Sequence, residues 1–231
     1  SNKALKPMFL YSSAFNDLEV FQKAKKNNSI IPFRGPINGS TLSCAEDLKY
    51  KIIINDKYGF KNPNNIYEKK INSFLLGDSY AEGFCEVSSN DIAGNLNKKL
   101  INTINFGVAG TGPLVSLAIL KEFGETFMPE NIIYLYFEGN DLDDLNYEKK
   151  EPNLKKYLSD GYHINYLGRY DEIKQFLTIA EKESEMLTKL KLTSDSKNII
   201  IEIKKFDLFK AHLKDILELN NLRNIFKYSI L

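Results

Sequence analysis

Three apolar runs in the middle of the chain, each followed by a glycine-containing turn, constrain the fold most strongly. They cover residues 74–76, 104–106 and 132–137, and the turns after them contain Ser79, Gly110 and Asn140. A short, continuous apolar run that ends at a turn is typical of a strand buried on both faces of a parallel sheet. In an open α/β sheet, the carboxyl ends of such strands form the edge at which ligands bind. We therefore expect these three residues at one edge of one sheet.

The segments between the runs have helical periodicity, which predicts an alternating α/β pattern. Strands are expected over 71–77, 102–108 and 131–138, and helices over about 90–100 and 113–127. The second helix is expected to end before Pro129, because the residue before a proline disfavours helical backbone. Residues 71–145 are therefore predicted to form an α/β core.

The flanking segments do not continue this alternation. Residues 1–70 are predicted to be an extension packed on the sheet, with a helix over 17–26 and a strand over 50–54. Residues 146–231 are predicted to form a loop and a mainly helical segment. Residues 141–151, which overlap the start of this segment, are expected to form a solvated loop. A long helix is expected over 170–192, broken by the polar residues 193–197. A further helix is expected over 199–226, with a strand over 198–203 as the alternative.

Taken together, the three turns resemble the SGNH hydrolases, also called GDSL esterases and lipases, which are named for a serine, a glycine, an asparagine and a histidine in four separate blocks. The matching stretches are Gly77-Asp78-Ser79 with Gly83, Asn105 to Gly110, and Gly139-Asn140-Asp141. The resemblance covers roughly residues 71–145 and implies a three-layer, flavodoxin-like parallel sheet. It also implies that Ser79 is the nucleophile, and that its backbone N–H, the backbone N–H of Gly110 and the side chain of Asn140 form the oxyanion hole.

These residue types suit acyl transfer. Attack of a serine hydroxyl on an ester carbonyl places negative charge on one oxygen, and fixed donors aimed at that oxygen each stabilise the transition state by about 3–4 kcal/mol. Glycine lets a backbone N–H approach closely, and asparagine supplies an uncharged donor. The competing interpretation of Gly-Asp-Ser is an ordinary turn in which the serine caps the next helix.

A second stretch, Gly59-Phe60-Lys61-Asn62, resembles the Gly-Phe-Arg-Asn stretch that precedes the first block in some bacterial members of the family. A turn followed by a packed aromatic residue explains it equally well. No role for it follows from the sequence.

The fourth block of the family, an aspartate three residues before a histidine, has one match in the chain. Asp160 and His163 have this spacing, and such an aspartate orients the imidazole that takes the serine proton. However, only twenty residues separate Asn140 from Asp160, whereas a βαβ unit takes about 30 or more. The favoured interpretation is therefore that the family's Asp and His lie beyond Leu231, so that the chain lacks its base. His212 has no aspartate three residues before it and is interpreted as a helix-surface residue.

Composition argues against several classes of function. The 231 residues include 31 basic and 30 acidic side chains in alternation, with a net charge of +1, which argues against nucleic-acid binding. No apolar run approaches the roughly 18 residues that cross a bilayer, and no signal peptide is visible. Because the chain begins at Ser1 without a methionine, an upstream signal or anchor would have been removed, and cytoplasmic and extracytoplasmic locations both stay open. Cys44 and Cys85 either pair or remain buried thiols.

The sequence thus predicts an SGNH-type serine esterase or acyl hydrolase that acts on a small-molecule or glycan-linked ester, without a cofactor or a metal. Two alternatives stay open. An O-acyltransferase would use the same serine and pass the acyl group to a sugar hydroxyl of an envelope glycan. A non-catalytic binding module would keep the sheet without an activated serine.

Overall fold

The computed structural model describes residues 9–10, 18–27, 30, 32–42 and 51–195. Contacts divide the chain into two units, Ser1–Ser184 and Glu185–Leu231. Of the second unit, only the helical backbone of residues 185–195 is described. The predicted helix over 199–226, its alternative strand over 198–203, and His212 lie outside the described residues.

The elements alternate between strands and helices in the middle of the first unit. In chain order they are β1 (Phe9–Leu10), α1 (Glu19–Lys26), β2 (Arg34–Gly35), β3 (Ser40–Leu42), β4 (Ile52–Ile54), β5 (Ser73–Gly77), α2 (Ser79–Glu82), α3 (Ile92–Lys98), β6 (Thr103–Asn105), α4 (Pro113–Phe127), β7 (Asn131–Leu135), α5 (Asp141–Glu148), α6 (Pro152–Lys155) and α7 (Tyr170–Asp195), with 3-10 turns at Asn64–Glu68, Lys156–Leu158 and Leu167–Arg169. β1 pairs with β2 and β3 with β4, both antiparallel.

A parallel sheet of three strands lies at the centre, in the order β6-β5-β7. β5 is the middle strand and all of its residues are buried, because a middle strand is paired on both edges and covered on both faces. The three strands predicted from the apolar runs are confirmed, each somewhat shorter than predicted. The first unit therefore combines helices and strands around a small parallel sheet, as in α/β proteins.

The two helices predicted between the strands are also confirmed. α4 has the predicted bounds, with Gly112 as N-cap, a proline in its first turn and the left-handed Met128 after its last residue. α3 begins after Asp91, whose side chain accepts a hydrogen bond from Gly94 N at 2.7 Å. Both starts use common capping devices that satisfy or avoid unpaired N–H groups.

Aromatic side chains connect the segment before the sheet to the core. Phe106, at the end of β6, contacts Phe60, Phe74 and Phe123 with ring centroids 4.7–4.8 Å apart. Phe60 is fully buried. Residues before the sheet therefore contribute to the same hydrophobic core as β5, β6 and α4.

One sequence prediction about the segment after β7 is wrong. Residues 141–151 do not form a solvated loop, because α5 occupies Asp141–Glu148, and both of its terminal residues are buried. Acidic residues in a first turn stabilise a helix through its dipole, so an acidic run is compatible with a helix as well as with a loop. The long helix predicted over 170–192 is confirmed as α7, whose described part extends to Asp195; the rest of the polar stretch 193–197 lies outside the described residues.

Candidate functional site

The turns that carry the three candidate site residues lie at one edge of the parallel sheet. Pairing on the β6 side continues to Val108, whose N–H donates to Gly77 O at 3.0 Å. On the other side, Gly77 is in register with Leu135. The three candidates follow these aligned positions within five residues. Ser79 therefore follows the middle strand, with one candidate oxyanion donor on each side of it.

Direct contacts join the turn of Ser79 to the turn of Asn140. The rings of Tyr80 and Phe137 lie 4.8 Å apart. Burial raises the pKa of the Asp78 carboxyl, and the Asn140 amide beside it acts in the opposite direction. The amide of Asn140 thus lies next to the residue that immediately precedes Ser79.

Ser79 is the first residue of α2 and is half-buried. The N-cap is Asp78, whose side chain accepts a hydrogen bond from Tyr80 N at 2.9 Å. The capping role that the competing interpretation gives to the serine is therefore filled by Asp78. Among the described residues, the Ser79 hydroxyl has no hydrogen-bond partner.

Gly110 has a left-handed backbone with φ of 72°, a conformation that favours glycine. The turn is held on both sides of it. Ala109 N donates to Glu82 Oε2 at 2.6 Å, and the Thr111 hydroxyl donates to Val108 O at 2.7 Å. The direction of the Gly110 N–H is thus set by neighbours that are themselves buried and hydrogen-bonded.

Asn140 immediately precedes α5 and donates from Nδ2 to Asp144 Oδ2 at 2.8 Å. Its Oδ1 is buried and has no hydrogen-bond partner in the described part of the chain. The turn before it is closed by Asp141, which accepts a hydrogen bond from Phe137 N at 3.0 Å. An amide has two N–H donors. An oxyanion would therefore compete with the surrounding carboxylates for one of these N–H groups.

Four carboxylates line this edge, and we call them the acidic belt: Asp78, Asp141, Asp144 and Glu148. Asp141 is fully buried. Burial raises the pKa of Asp144 to about 6, and the charges of Asp141 and Asp78 act in the same direction. Because the pKa values of Asp78, Asp144 and Glu148 are raised, the belt is only partly ionised near neutral pH, and the negative charge that remains disfavours an anionic group on a ligand there.

Glu148 connects the β7 side of the site to the β6 side. It lies at the end of α5, and its carboxylate accepts hydrogen bonds from Gly112 N at 2.6 Å and Leu114 N at 2.9 Å, at the start of α4. Burial raises the pKa of Glu148 to about 7, although these N–H donors favour the charged form. The Glu148 carboxylate thus lies at the N-terminal end of α4, where the helix dipole favours negative charge.

The segment that contains Asp160 and His163 is anchored at another place. Both side chains are exposed. The backbone beside His163 is held by Glu122 of α4, which accepts hydrogen bonds from Ile164 N at 2.6 Å and Tyr166 N at 2.8 Å. Glu122 lies nine residues along α4 from its start, which corresponds to about 14 Å of helix.

The described hydrogen bonds join neither Asp160 nor His163 to Ser79. The structure thus brings together Ser79, Gly110 and Asn140, and anchors Asp160 and His163 near the far half of α4. Their assignment as orienter and base stays a prediction.

Cys85 forms a disulfide. It follows Ser79 by six residues, so the crosslink lies just beyond the turn of the candidate nucleophile. Cys44, the only other cysteine in the sequence, lies outside the described residues. Of the two alternatives for Cys85, the free thiol is therefore wrong.

The Gly59–Asn62 stretch does more than form a turn with a packed aromatic. Lys61 Nζ donates to Gly83 O at 2.6 Å and pairs with Asp91 at 3.1 Å. The Asn62 side chain exchanges two hydrogen bonds with the backbone of Asn105, at 2.8 and 2.9 Å. Both polar side chains therefore support the elements that carry the candidate site.

Sequence reasoning missed a buried ion pair beside the site. Arg34 and Glu82 are paired, and both side chains have 0% exposure. Glu82 lies three residues after Ser79, and a glutamate between alanine, glycine and phenylalanine is a weak signal of burial. Nothing in the sequence around Arg34 indicates its partner.

Comparisons with protein-family models, with curated proteins and with solved structures find no match for this chain. Within the described part of the chain, no group of three or more His, Cys, Asp or Glu side chains is arranged to hold a metal ion. No helix described here combines the length and the apolar character needed to cross a membrane.

Proposed function

We propose that this protein is a serine ester hydrolase of the SGNH type, with a flavodoxin-like three-layer arrangement around its parallel sheet and Ser79 as the nucleophile. The observation that carries the proposal is that the turns of Ser79, Gly110 and Asn140 share one edge of the sheet, with the serine in the turn that follows the middle strand. An oxyanion hole needs fixed donors that converge on the position of the oxyanion, and an order of strands that brings all three turns to one edge supports this.

In the proposed reaction, Ser79 Oγ attacks the ester carbonyl carbon and its proton passes to a general base. The negative charge that develops on the carbonyl oxygen is stabilised by the N–H groups of Ser79 and Gly110 and by the Asn140 amide. When the tetrahedral intermediate collapses, the bond to the alcohol breaks and the base returns the proton to it. Water then gives a proton to the base and attacks the acyl-serine ester; the bond between the acyl carbon and Ser79 Oγ breaks, the base returns the proton to Oγ, and the acid is released.

The general base has to reach Ser79 Oγ at about 2.6–3.2 Å, often with a looser fit before substrate binds. His163, oriented by Asp160, remains the predicted base within the chain. Because its neighbours are anchored to Glu122, this role requires that the segment approach the sheet edge when substrate binds. A His163→Ala variant tests this assignment.

The acidic belt bears on the substrate of the proposed reaction, and the disulfide bears on its location. The acidic belt favours a neutral or cationic ester over one that carries a carboxylate or phosphate next to the acyl group. The disulfide at Cys85 supports a location outside the cytoplasm, since disulfides persist mainly in oxidising compartments.

The test is covalent labelling of the protein with a fluorophosphonate, followed by intact mass measurement and peptide mapping. We expect one adduct on Ser79 and none in a Ser79→Ala variant, because an activated serine reacts and the other serines do not. Hydrolysis of a short-chain aryl ester is expected to be lost in the same variant.

Three other outcomes would point elsewhere. Absence of wild-type labelling with normal folding contradicts the hydrolase and favours a binding module. Labelling together with transfer of the acyl group to an added glycan, at the expense of free acid, favours the acyltransferase. Labelling at the wild-type rate in His163→Ala excludes His163 as the base.

A further inference from the structure

One carboxylate joins the two turns that would supply the backbone donors of the oxyanion hole. Glu82 lies one helical turn after Ser79, at the end of α2. Its Oε2 accepts a hydrogen bond from Ala109 N at 2.6 Å, and its Oε1 is paired with the Arg34 guanidinium. Ala109 directly precedes Gly110, so the position of Gly110 relative to Ser79 depends on this carboxylate.

The backbone of Glu82 is equally constrained. Lys61 Nζ and Asn105 Nδ2 both donate to Glu82 O, at 3.1 and 3.3 Å. A Cβ on Gly107 would lie only 2.2 Å from Glu82 N. The end of α2 and the end of β6 therefore touch through backbone as well as through side chains.

A buried carboxylate such as that of Glu82 lowers the stability of the fold unless it is paired and hydrogen-bonded. Arg34 supplies the pairing and is itself fixed by Asn55 Oδ1 and Gly59 O at 2.8 Å each. Replacing both members of a buried ion pair by apolar residues of similar volume often causes no loss of stability. Such residues would leave the Ala109 N–H without its carboxylate acceptor, and this hydrogen bond is the contact of the ion pair that reaches the turn of Gly110.

From this arrangement we propose that Glu82 is a positioning residue for the oxyanion hole. Its carboxylate fixes the turn of Gly110 on the helix of Ser79, and Arg34 neutralises its charge. The inference rests on the proposed function, since an oxyanion hole presupposes the serine chemistry. It also makes the segment before the sheet a part of the site, because Arg34 belongs to β2.

The first experiment measures amide hydrogen exchange in the full chain and needs no activity. Glu82→Gln keeps the size of the side chain but leaves one oxygen to serve both Arg34 and the Ala109 N–H. We expect the Ala109 amide to exchange about tenfold faster or more in this variant. The amides of 162–166 are expected to stay unchanged.

Glu122→Gln is the matched control, because Glu122 is also a buried helical glutamate that accepts backbone N–H groups. In this variant we expect faster exchange at Ile164 and Tyr166 and no change at Ala109. Unchanged exchange at Ala109 in Glu82→Gln overturns the inference. So does an equal acceleration of both regions in both variants, which indicates general destabilisation.

The second experiment follows the rate of fluorophosphonate labelling against reagent concentration. Removing one oxyanion donor typically slows reaction by about 100- to 1000-fold, and a loosened donor is expected to give at least about tenfold. We expect this loss in the limiting rate constant, with the half-saturating reagent concentration unchanged within about twofold. A role in structure alone leaves the limiting rate of the folded protein unchanged.

If Glu82→Gln does not fold, the double variant Arg34→Met/Glu82→Met replaces the ion pair with an apolar pair. We expect it to fold and still to show fast Ala109 exchange and slow labelling. Recovery of the labelling rate together with stability overturns the positioning role while leaving Ser79 as the nucleophile. No labelling of the wild-type protein contradicts the proposed function and the catalytic part of this inference, whereas the link between the turns is judged by exchange alone.

Discussion

The strands on either side of β5 pair with it in the same direction but differ in burial. Phe74 of β5 lies between Ile104 of β6, which is 0% exposed, and Ile132 of β7, which is 44% exposed. All residues of β6 are buried, whereas none of β7 is. Among the described strands, β6 and β7 each pair with β5 alone, so the difference in burial comes from what covers the faces of the two strands and not from their pairing. The Gly110 side of the candidate site is therefore enclosed, and the Asn140 side is open.

The contacts that shape the two turns differ in range. The turn of Gly110 is held by Glu82, which lies 27 residues before the amide that it binds. The hydrogen bond that Asn140 itself makes is local, since its partner Asp144 is four residues away, and the Tyr80–Phe137 ring contact is what links this turn to the turn of Ser79. We therefore expect changes on the β6 side to affect the stability of the whole unit, and changes on the β7 side to remain local.

The largest expected effect comes from breaking the buried ion pair. Arg34→Met leaves the Glu82 carboxylate buried without its partner and is expected to lower the free energy of unfolding by about 3–5 kcal/mol. Urea unfolding followed by circular dichroism measures it. The matched change is Lys70→Met, which breaks the exposed Lys70–Glu130 pair near β7 and is expected to leave stability unchanged. Similar small losses in both variants would remove the difference between the two sides.

A methyl group added to a glycine tests the same difference. In Gly107→Ala, the new Cβ meets the backbone of Ala81 and Glu82 at 2.2–2.8 Å, so α2 and β6 have to move apart, at a cost of about 3 kcal/mol or more. In Gly139→Ala, the atoms nearest to the new Cβ belong to the ring of Phe137, a side chain that can shift, so about 1 kcal/mol is expected. Thermal unfolding of both variants measures which one loses more stability. A larger loss in Gly139→Ala than in Gly107→Ala would contradict the expected difference between the two sides.

Glu148 predicts how stability depends on pH. Its pKa is raised on folding from 4.5 to about 7, so the folded protein holds a proton that the unfolded chain has already lost. The contribution of this group to stability is therefore present below about pH 4.5 and decreases as the pH rises to about 7, by up to about 3 kcal/mol.

Glu148→Gln removes this titration. Urea unfolding at several values between pH 4.5 and 8 is expected to show that the variant gains stability relative to the wild type as the pH rises. Curves that stay parallel over this range would mean that the N–H donors of Gly112 and Leu114 keep the pKa of Glu148 near its ordinary value.

The smallest effect is expected from removing one methylene on each side of Phe74. Ile104→Val is expected to cost about 1 kcal/mol, because the site is fully buried. Ile132→Val is expected to cost less than about 0.5 kcal/mol, because that side chain already contacts solvent. Chemical unfolding of the two variants in parallel gives the loss in free energy of unfolding for each. Equal losses would show that β7 is as well packed as β6.

The elements of the core were predictable from the sequence because their signals are local. The apolar runs predicted β5, β6 and β7, helical spacing predicted α4, and Pro129 predicted where α4 ends. The order of the turns then predicted that Ser79, Gly110 and Asn140 meet at one edge, since parallel strands end together.

The supports of the site were not predictable, because they depend on partners far apart in sequence. Arg34 and Glu82 are separated by 48 residues, and a glutamate in a short helix has the same sequence signature whether it is exposed or buried. The acidic run after Asn140 was misjudged for a related reason. Asp141 and Glu148 become buried through contacts with Tyr134 and with the start of α4, which composition alone does not reveal.

The most direct test of the account is a crystal structure of the protein after reaction with a small fluorophosphonate. The account predicts phosphorus bonded to Ser79 Oγ, with the phosphonyl oxygen about 2.7–3.1 Å from Gly110 N and Asn140 Nδ2. An adduct whose oxygen points away from both donors, or an adduct on another residue, would contradict it.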